Sequence, residues 1–578
     1  MIALAPDPGA RAAAGPRIHE LQGRGHVSPR AGDRVTDVAG VVVGVAERGF
    51  WMQDSAPDAD PATSEGIFVA DDGRRASGDA VSVDGQVAEV RPGDEAENLS
   101  TTTIRATSVR RTGAGSVRAT RIGASGRRPP LRVIEDDARG DVEARGVRFD
   151  PREDGLDFHE SLEGMLVAIA RPDVVGPRTS FGELAVVARG AARPRTGRGG
   201  VLLRPRDANP ERLTLDDELA TIPSADVGDR LAGPVRAVAS YSFGAYKYLA
   251  TARPRRIDRD LRRERTRRAR RGEVAVASMN VENLSAADSA AKFEALARIV
   301  TRRLRGPDVL AVEEMQDANG ADTGGGARAG PTFRRFAAAI RAARGPRYRY
   351  RQIDPRPGAD GGEPGGNIRV GFLFRTDRGL RFVDRGKGGA TRPTREDRRR
   401  PGAQLTLSPG RVAPRSAAFE NSRKPLAGQF RVRGRTLFVV ANHFNSKGGD
   451  QPLLGRFQPP ERGSEVQRHR QARVVRGFTR SLLRADRCAR VVVLGDFNDF
   501  EFSRTLRILE GGGLANLVER LPQRERYSYV FEGNSQALDH ILVSPSLAGS
   551  AYDSVHVNAE FSAQASDHDP QVARLKLP

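Results

Sequence analysis

Residues 251–272 hold eleven arginines against three acidic residues, and the hydrophobic pattern changes on crossing them. Before this stretch the chain reads as short strands divided by glycine turns. Residues 35–45 (VTDVAGVVVGV), 49–54 (GFWMQD), 66–69 (GIFV) and 79–90 (DAVSVDGQVAEV) follow one another closely, the last with period-two alternation. This spacing predicts a small closed β-barrel. After the stretch, strands and helices alternate, which predicts a layered α/β domain. Residues 274–280, 308–312, 369–374, 436–441 and 490–494 read as strands, and 290–304 and 332–343 as helices. Ser464 to Gln467 has the spacing of a capping box opening a helix to about Leu483.

The chain divides accordingly. Residues 1–16, rich in Ala, Pro and Gly, read as a disordered tail. Residues 17–126 form the first β-unit. Gly228-Asp229 leads into Leu231, Gly233, Val235 and Val238 much as Gly78-Asp79 leads into Val81, Val83, Gly85 and Val87. That echo predicts a second barrel-like β-unit over 127–250. Residues 251–272 are an Arg-rich linker, either a solvated, partly helical connection or a phosphate-binding strap. Residues 273–578 form the α/β domain.

Composition excludes several classes. At 578 residues, 38% hydrophobic and 29% charged, the chain can build real cores and is not disordered throughout. One cysteine, Cys488, rules out an internal disulfide framework and a Cys-based zinc site. No run of about 20 apolar residues exists, so membrane insertion is not expected. The first sixteen residues lack a basic start followed by an apolar core, so no convincing signal peptide is visible. The formal charge of +21 suits an anionic partner. Only six of the 94 basic residues are Lys, however, a skew that base composition alone can produce.

The chemistry gathers where strands end. One strand ends at Asn280, with Asn283 beyond it, and another at Glu313-Glu314. A third runs into Asn442-His443-Phe444-Asn445-Ser446-Lys447, and a fourth into Gly495-Asp496-Phe497-Asn498-Asp499. Asp539-His540 and Ser566-Asp567-His568-Asp569 follow. Any one of these is weak: Asp-Phe-Asn after a strand is often a turn, and a lone His is more often structural. Their accumulation at strand ends, where α/β proteins place sites, carries the argument. Carboxylates, amides and imidazoles together suit Mg²⁺ or Mn²⁺ with phosphate and suit structural zinc poorly.

Asn280, Glu314, His443-Phe-Asn445, Asp496-Phe-Asn498, Asp539 and Ser-Asp567-His568 occur in the order of the endonuclease/exonuclease/phosphatase superfamily, which is DNase I-like. The region around 273–578 resembles that superfamily. The whole chain most resembles bacterial extracellular nucleases with an N-terminal OB-fold region, through residues 19–26, 49–54, 64–69 and 154–164. The resemblance implies an α/β protein: a C-terminal four-layer α/β/β/α sandwich preceded by an all-β, OB-like barrel region.

It also implies divalent-metal phosphodiester hydrolysis with Mg²⁺, Mn²⁺ or Ca²⁺. Glu314 is then the metal carboxylate, with Asn280 and Asp567 nearby. Glu313, one place earlier and on the opposite face of its strand, is the fallback. Asp496 and Asn498 position water and phosphate oxygens. His568, oriented by Asp539, is the general base, and His443 serves the leaving oxygen. Asn445, Arg423 and Lys447 contact substrate, with a surface arginine as the plain alternative for Arg423. A near-neutral base beside a metal-neutralised phosphodiester is what the reaction requires.

Departures from the family pattern are specific. No Glu occupies residues 367–370, where DNase I carries the partner of its leaving-group His; Glu363 lies upstream in a Gly-rich loop. The partner of His443 is therefore undefined. His540 and His469 read as structural, and Cys488 as a buried or incidental thiol rather than a nucleophile. Phe50 and Trp51 are either bases' stacking platforms or core residues. The expectation is an extracellular or cell-surface endonuclease acting on DNA, with RNA as an alternative and no stable protein partner. A lipid or small-molecule phosphoesterase of the same superfamily is the second reading, and a noncatalytic nucleic-acid-binding protein the third.

Overall fold

The computed structural model describes residues 15–191, 195–322, 324, 326–386 and 388–577. Most of the tail expected over 1–16 lies outside them.

Strands Arg34–Ala46, Gly49–Gln53, Gly66–Ala70, Asp79–Val90 and Thr101–Ala114 close into a five-stranded barrel, with the last two exchanged in spatial order. Period-two alternation sends Val81, Val83 and Val87 into its interior, against Val38, Phe50, Met52, Ile67 and Ile104. Phe50 is fully buried there. Trp51 points the other way and packs on Leu166, Val238 and Leu249 of the next unit. Both aromatics are therefore core residues. The two units approach each other closely at Gly66 and Gly164. A Cβ on Gly66 would lie 2.2 Å from the Gly164 carbonyl carbon, so only glycine lets the backbones touch.

The second unit is a nine-stranded sheet and not the barrel expected. The sequence echo fails for a definite reason. Residues 79–90 form one continuous strand. Their supposed counterpart breaks at Gly233 into Arg230–Leu231 and Val235–Ser242, which are not neighbours in the sheet. The sheet also takes in Thr120–Ile122 and Arg256–Ile257 from beyond 127–250.

The Arg-rich segment is neither helical nor a free strap. Beyond Arg256–Ile257 it runs extended over the α/β domain. There Glu264 N–H donates to His556 O at 2.9 Å, Thr266 N–H donates to Arg303 O at 3.0 Å, and Arg263 lies 4.1 Å over the Phe561 ring.

The α/β domain contains two mixed sheets. One is built around Glu273–Leu284, Val309–Met315, Arg369–Arg375 and Gln571–Lys576. The other is built around Leu426–Val432, Arg435–His443, Arg490–Asp496 and Asp539–Val543. Val276, Ala311 and Phe372 of the first meet Phe430, Val439, Val492 and Ile541 of the second in one core. The alternate residues face helices. Ala277 and Leu310 pack on Phe293, Phe333 and Phe336, and Val440 and Val493 pack on Val475, Phe478 and Leu482. Helix Gly463–Ala485 has no side-chain N-cap bond, contrary to the expected capping box. The Ser464 hydroxyl instead donates to Asp450 at 2.7 Å and accepts from Arg468 at 2.6 Å.

Strand pairing joins the units on two sides. Val201–Leu202 pairs in parallel with Asn534–Gln536 of the α/β domain, and Gly140–Asp141 pairs with Phe457–Gln458. Among the described residues no helix is long and apolar enough to cross a membrane.

Candidate active site

Register builds the first half of the site. Arg435–His443 and Arg490–Asp496 run parallel with His443 opposite Asp496, and Asp539 lies opposite Asp496 on the other side. Three chemically active residues thus form one row at the sheet's end. Gly495 makes the close approach possible: a Cβ there would stand 1.9 Å from Asn442 O.

The first sheet contributes Glu314 through a kink. Pairing between Val309–Met315 and Arg369–Arg375 slips after Val312, and Glu314 takes φ +59°. Left-handed backbone at a residue with a Cβ costs about 1–2 kcal/mol. Bonds to the carboxylate offset it: Asn280 Nδ2 donates to Oε1 at 3.0 Å and Asn283 N–H to Oε2 at 3.1 Å. Glu282 and Asn283 are left-handed as well, at φ +51° and +53°. The bulge separates the two glutamates. Glu314 faces the cleft, while Glu313 is buried and accepts from Ser278 Oγ at 2.9 Å and Met279 N–H at 3.1 Å. Burial, then Asp539 and Asp496, push the Glu313 carboxyl well above its ordinary range.

His568 completes the row. Its Nδ1 lies 2.7 Å from Asp539 Oδ2, and its Nε2 lies 3.8 Å from Asp496 Oδ2 and 4.0 Å from Asp567 Oδ1. Tyr529 covers the ring at 4.7 Å. Burial opposes a charged imidazole, but Asp539, Asp567 and Asp496 outweigh it and raise the pKa well above normal. Burial likewise raises Asp496 to about 7, with His568 opposing and Asp539 reinforcing.

His443 differs. Burial, with Arg423 and His568 nearby, drives its pKa well down, so the ring is neutral. Its Nε2 lies 3.5 Å from Asp496 and 3.7 Å from Glu314, and its buried Nδ1 has no hydrogen-bond partner. Glu363 does not supply one, since it accepts from Gln316 at 2.7 Å.

Arg423 is buried, which sets aside the surface reading, and it donates to Phe444 O at 2.5 Å. Asn498, at φ +50°, donates to the same carbonyl at 3.2 Å and gives its N–H to Asp496 Oδ1 at 2.8 Å. Lys447 lies 4.1 Å over the Phe500 ring and 3.9 Å from Asp499, and burial lowers its pKa to about 8. Glu314, Arg423, His443, Lys447, Asp496, Asn498, Asp567 and His568 all line one cleft of about 1550 Å³.

Three residues expected at the site do not line the cleft itself. Asn280 is buried behind the cleft surface, tying Glu314 to Asp496 through Nδ2 rather than facing the cleft as a ligand. Asp539 stands behind His568, consistent with an orienting position. Asn445 does not line the cleft; its N–H donates to Gln471 at 2.9 Å. His540 is buried, 2.9 Å from Asp499 O, and Cys488 is exposed.

Sequence reasoning passed over Ser528, Tyr529 and the N-terminal wall of the cleft, which includes Arg132, Arg204, Arg206 and Phe243. Ser528-Tyr529 sits in an aromatic run eleven residues before Asp539, a faint signal at best. The N-terminal wall comes from long-range docking and leaves no local signature.

A divalent cation fits this donor set. Glu314, His443 and Asp496 offer ligand atoms within 4.8 Å of one another, an oxygen-rich group with one neutral imidazole. Asp567 stands outside that group, beside His568.

The comparisons agree with the geometry. A model described as a domain of unknown function (DUF8508) matches residues 121–258. No curated protein matches the chain. Among solved structures, truncated Caenorhabditis elegans TDP2 is similar at 15% identity, covering 52% of this chain and 97% of that one, with TM-score 0.33. A mannosyl-6-phosphatase of Bacteroides thetaiotaomicron is similar at 18% identity, covering 52% and 99%, with TM-score 0.32. Danio rerio TDP2 complexed with single strand DNA product is similar at 15% identity, covering 52% and 98%, with TM-score 0.32. The model of the endonuclease/exonuclease/phosphatase family matches residues 277–568, from the Asn280 strand to His568. The chain belongs to that family and is a metal-dependent hydrolase of phosphoric ester bonds.

Proposed function

We propose that the protein is a nuclease that cleaves DNA internally. The observation that carries this reading is the cleft. It is far larger than one phosphate needs, and both the α/β domain and the N-terminal unit wall it. Arg132, Arg204, Arg206, Arg423, Lys447 and Arg462 supply positive charge along it. Phe243, 91% exposed, and Phe531, 52% exposed, offer faces on which bases can stack. The net charge of +21 favours a long polyanion over a small phosphate.

In this reading Glu314 and Asp496 would hold Mg²⁺ or Mn²⁺, which when bound would neutralise phosphate charge. His568, oriented by Asp539, takes the proton of the attacking water at Nε2. Asn498 and Arg423 orient phosphate oxygens, and Lys447 contacts the strand beyond. The neutral His443 donates a hydrogen bond to the departing oxygen. We take the stacking of sheets and helices as the α/β/β/α arrangement and the five-stranded barrel as OB-like. A chain with a single cysteine suits export without disulfides, and we place the enzyme outside the cell or on its surface.

Supercoiled plasmid tests the proposal. Nicked and linear products that need Mg²⁺ or Mn²⁺, stop with EDTA and vanish in His568→Ala support it. An intact plasmid beside rapid hydrolysis of a lipid or sugar phosphate would overturn the nucleic-acid assignment.

A further inference from the structure

A second acidic group lies apart from the catalytic carboxylates, in the wall that the N-terminal unit gives to the cleft. The run Glu135-Asp136-Asp137 meets Asp154, the residue preceding helix Gly155–Glu160. Oxygens of Asp136, Asp137 and Asp154 lie within 4.8 Å of one another.

Two observations separate this group from an ordinary solvated acidic patch. Asp154 is 0% exposed, and neither of its carboxylate oxygens has a hydrogen-bond partner. An aspartate at a helix N-cap normally accepts from the first turn, yet this side chain makes no such bond. Glu135 is also buried. Its Oε1 accepts from the N–H groups of Asp137 and Ala138 at 2.7 and 2.8 Å, but its Oε2 is left without a partner. Buried carboxylate oxygens without partners are costly and rare.

Protein cations do not fill the gap. Among the described residues the only ion pair to any of the four is Arg148 with Asp137, at 3.5 Å. Arg148 is largely exposed and shared with Asp150 and Glu153. The neighbouring buried group, to which Glu135 belongs with His26 and Asp157, is different, because it contains its own cation. His26 lies 2.8 Å from Asp157 and 3.4 Å from Glu160, which keep it protonated despite burial.

We propose that Asp136, Asp137 and Asp154 form a calcium site separate from the catalytic metal centre. The donors are all carboxylate oxygens, the hard ligands calcium takes in six- to eight-fold, flexible geometry. One donor is buried and two are exposed, so water can complete the shell from outside. The site has a consequence for the cleft. Glu135 and Asp136 line it, and the loop that carries them already bonds the helix start, through Gly155 N–H to Val133 O at 3.0 Å and Leu156 N–H to Ile134 O at 2.9 Å. Calcium would lock these segments together and neutralise an acidic wall facing an anionic substrate.

The test uses the full chain, stripped with chelator and titrated with calcium by calorimetry, with thermal melting recorded in parallel. Asp154→Asn should bind one calcium fewer than wild type and lose the calcium-dependent rise in melting temperature. The double variant Asp136→Asn/Asp137→Asn, altered at exposed positions, should bind that calcium about tenfold or more weakly. It decides the matter if Asp154→Asn does not fold. Glu314→Gln should keep both the calcium and the melting rise. Unchanged binding in the folded variants, no calcium bound by wild type, or loss of all calcium in Glu314→Gln would each overturn the proposal.

Discussion

Asp539 Oδ2 holds His568 Nδ1 at 2.7 Å and at the same time accepts the Ser528 hydroxyl at 2.7 Å. The ring is thereby fixed, with Nε2 turned towards Asp496. Asp539→Asn should lower phosphodiester hydrolysis by about 10³–10⁴-fold, as in other carboxylate–histidine pairs. It should also move the rising limb of the pH–rate profile to lower pH, because the carboxylate sustaining the imidazolium is gone. A variant with an unaltered profile would exclude the orienting role.

Ser528 touches Asp539 and not the cleft, so its removal should act through position alone. Ser528→Ala should cost about 10-fold in kcat with KM nearly unchanged. A loss confined to KM would contradict this.

Glu313 and Glu314 should separate cleanly. Burial and nearby carboxylates raise the Glu313 pKa well above its ordinary range and so favour the uncharged form, and the neutral Glu313→Gln should retain most activity. Glu314→Gln should lose about 10²–10³-fold and require more metal for half-maximal rate. Steady-state rates across a metal titration decide between them.

Phe243 stands out from the hairpin joining Val235–Ser242 to Ala245–Ala250, 91% exposed. Phe243→Ala should leave melting unchanged and weaken single-strand binding by about 1–3 kcal/mol, the usual worth of one stacked base. Equal affinity by fluorescence anisotropy would remove it from the substrate path.

His159 should make the N-terminal unit acid-sensitive. Its Nδ1 lies 2.7 Å from Tyr248 Oη and its Nε2 lies 3.0 Å from Pro210 O, and burial, with Arg212 adding, lowers its pKa to about 4. The unfolded ring titrates near 6.5, so between about pH 6.5 and 4 only the unfolded chain gains the proton. Stability then falls by up to about 3 kcal/mol over that window. Denaturant midpoints at pH 7 and 4.5 should diverge more in wild type than in His159→Gln. Parallel shifts would refute this.

Much of the site was legible because parallel strands deliver their final residues to one edge. Apolar runs ending in His443 and Asp496 needed only their register to bring the two together. The fate of Glu313 and Glu314 was only half legible. Strand alternation puts them on opposite faces, but the slip that lifts Glu314 into the cleft follows from pairing with residues 369–371, which no local pattern encodes. Asn445 failed as a site residue because it does not line the cleft, although Ser446 and Lys447 just beyond it do. The Gly228-Asp229 echo failed because Gly233 ends a strand that composition alone reads as continuous. The DNA assignment rests on the cleft's size and charge, which emerge only when the two halves dock.

That docking also bears on how the chain is made. Arg198 pairs with Glu560, 362 positions away, and the strand at Val201–Leu202 waits for partners from a hairpin near the C-terminus. Synthesised before the α/β domain, the N-terminal unit holds an unpaired strand at Val201–Leu202 until residues 534 and 535 have been made. Activity should therefore appear late in folding, at the step that seats this edge. Fragments ending before residue 534 should associate with themselves rather than remain as stable monomers.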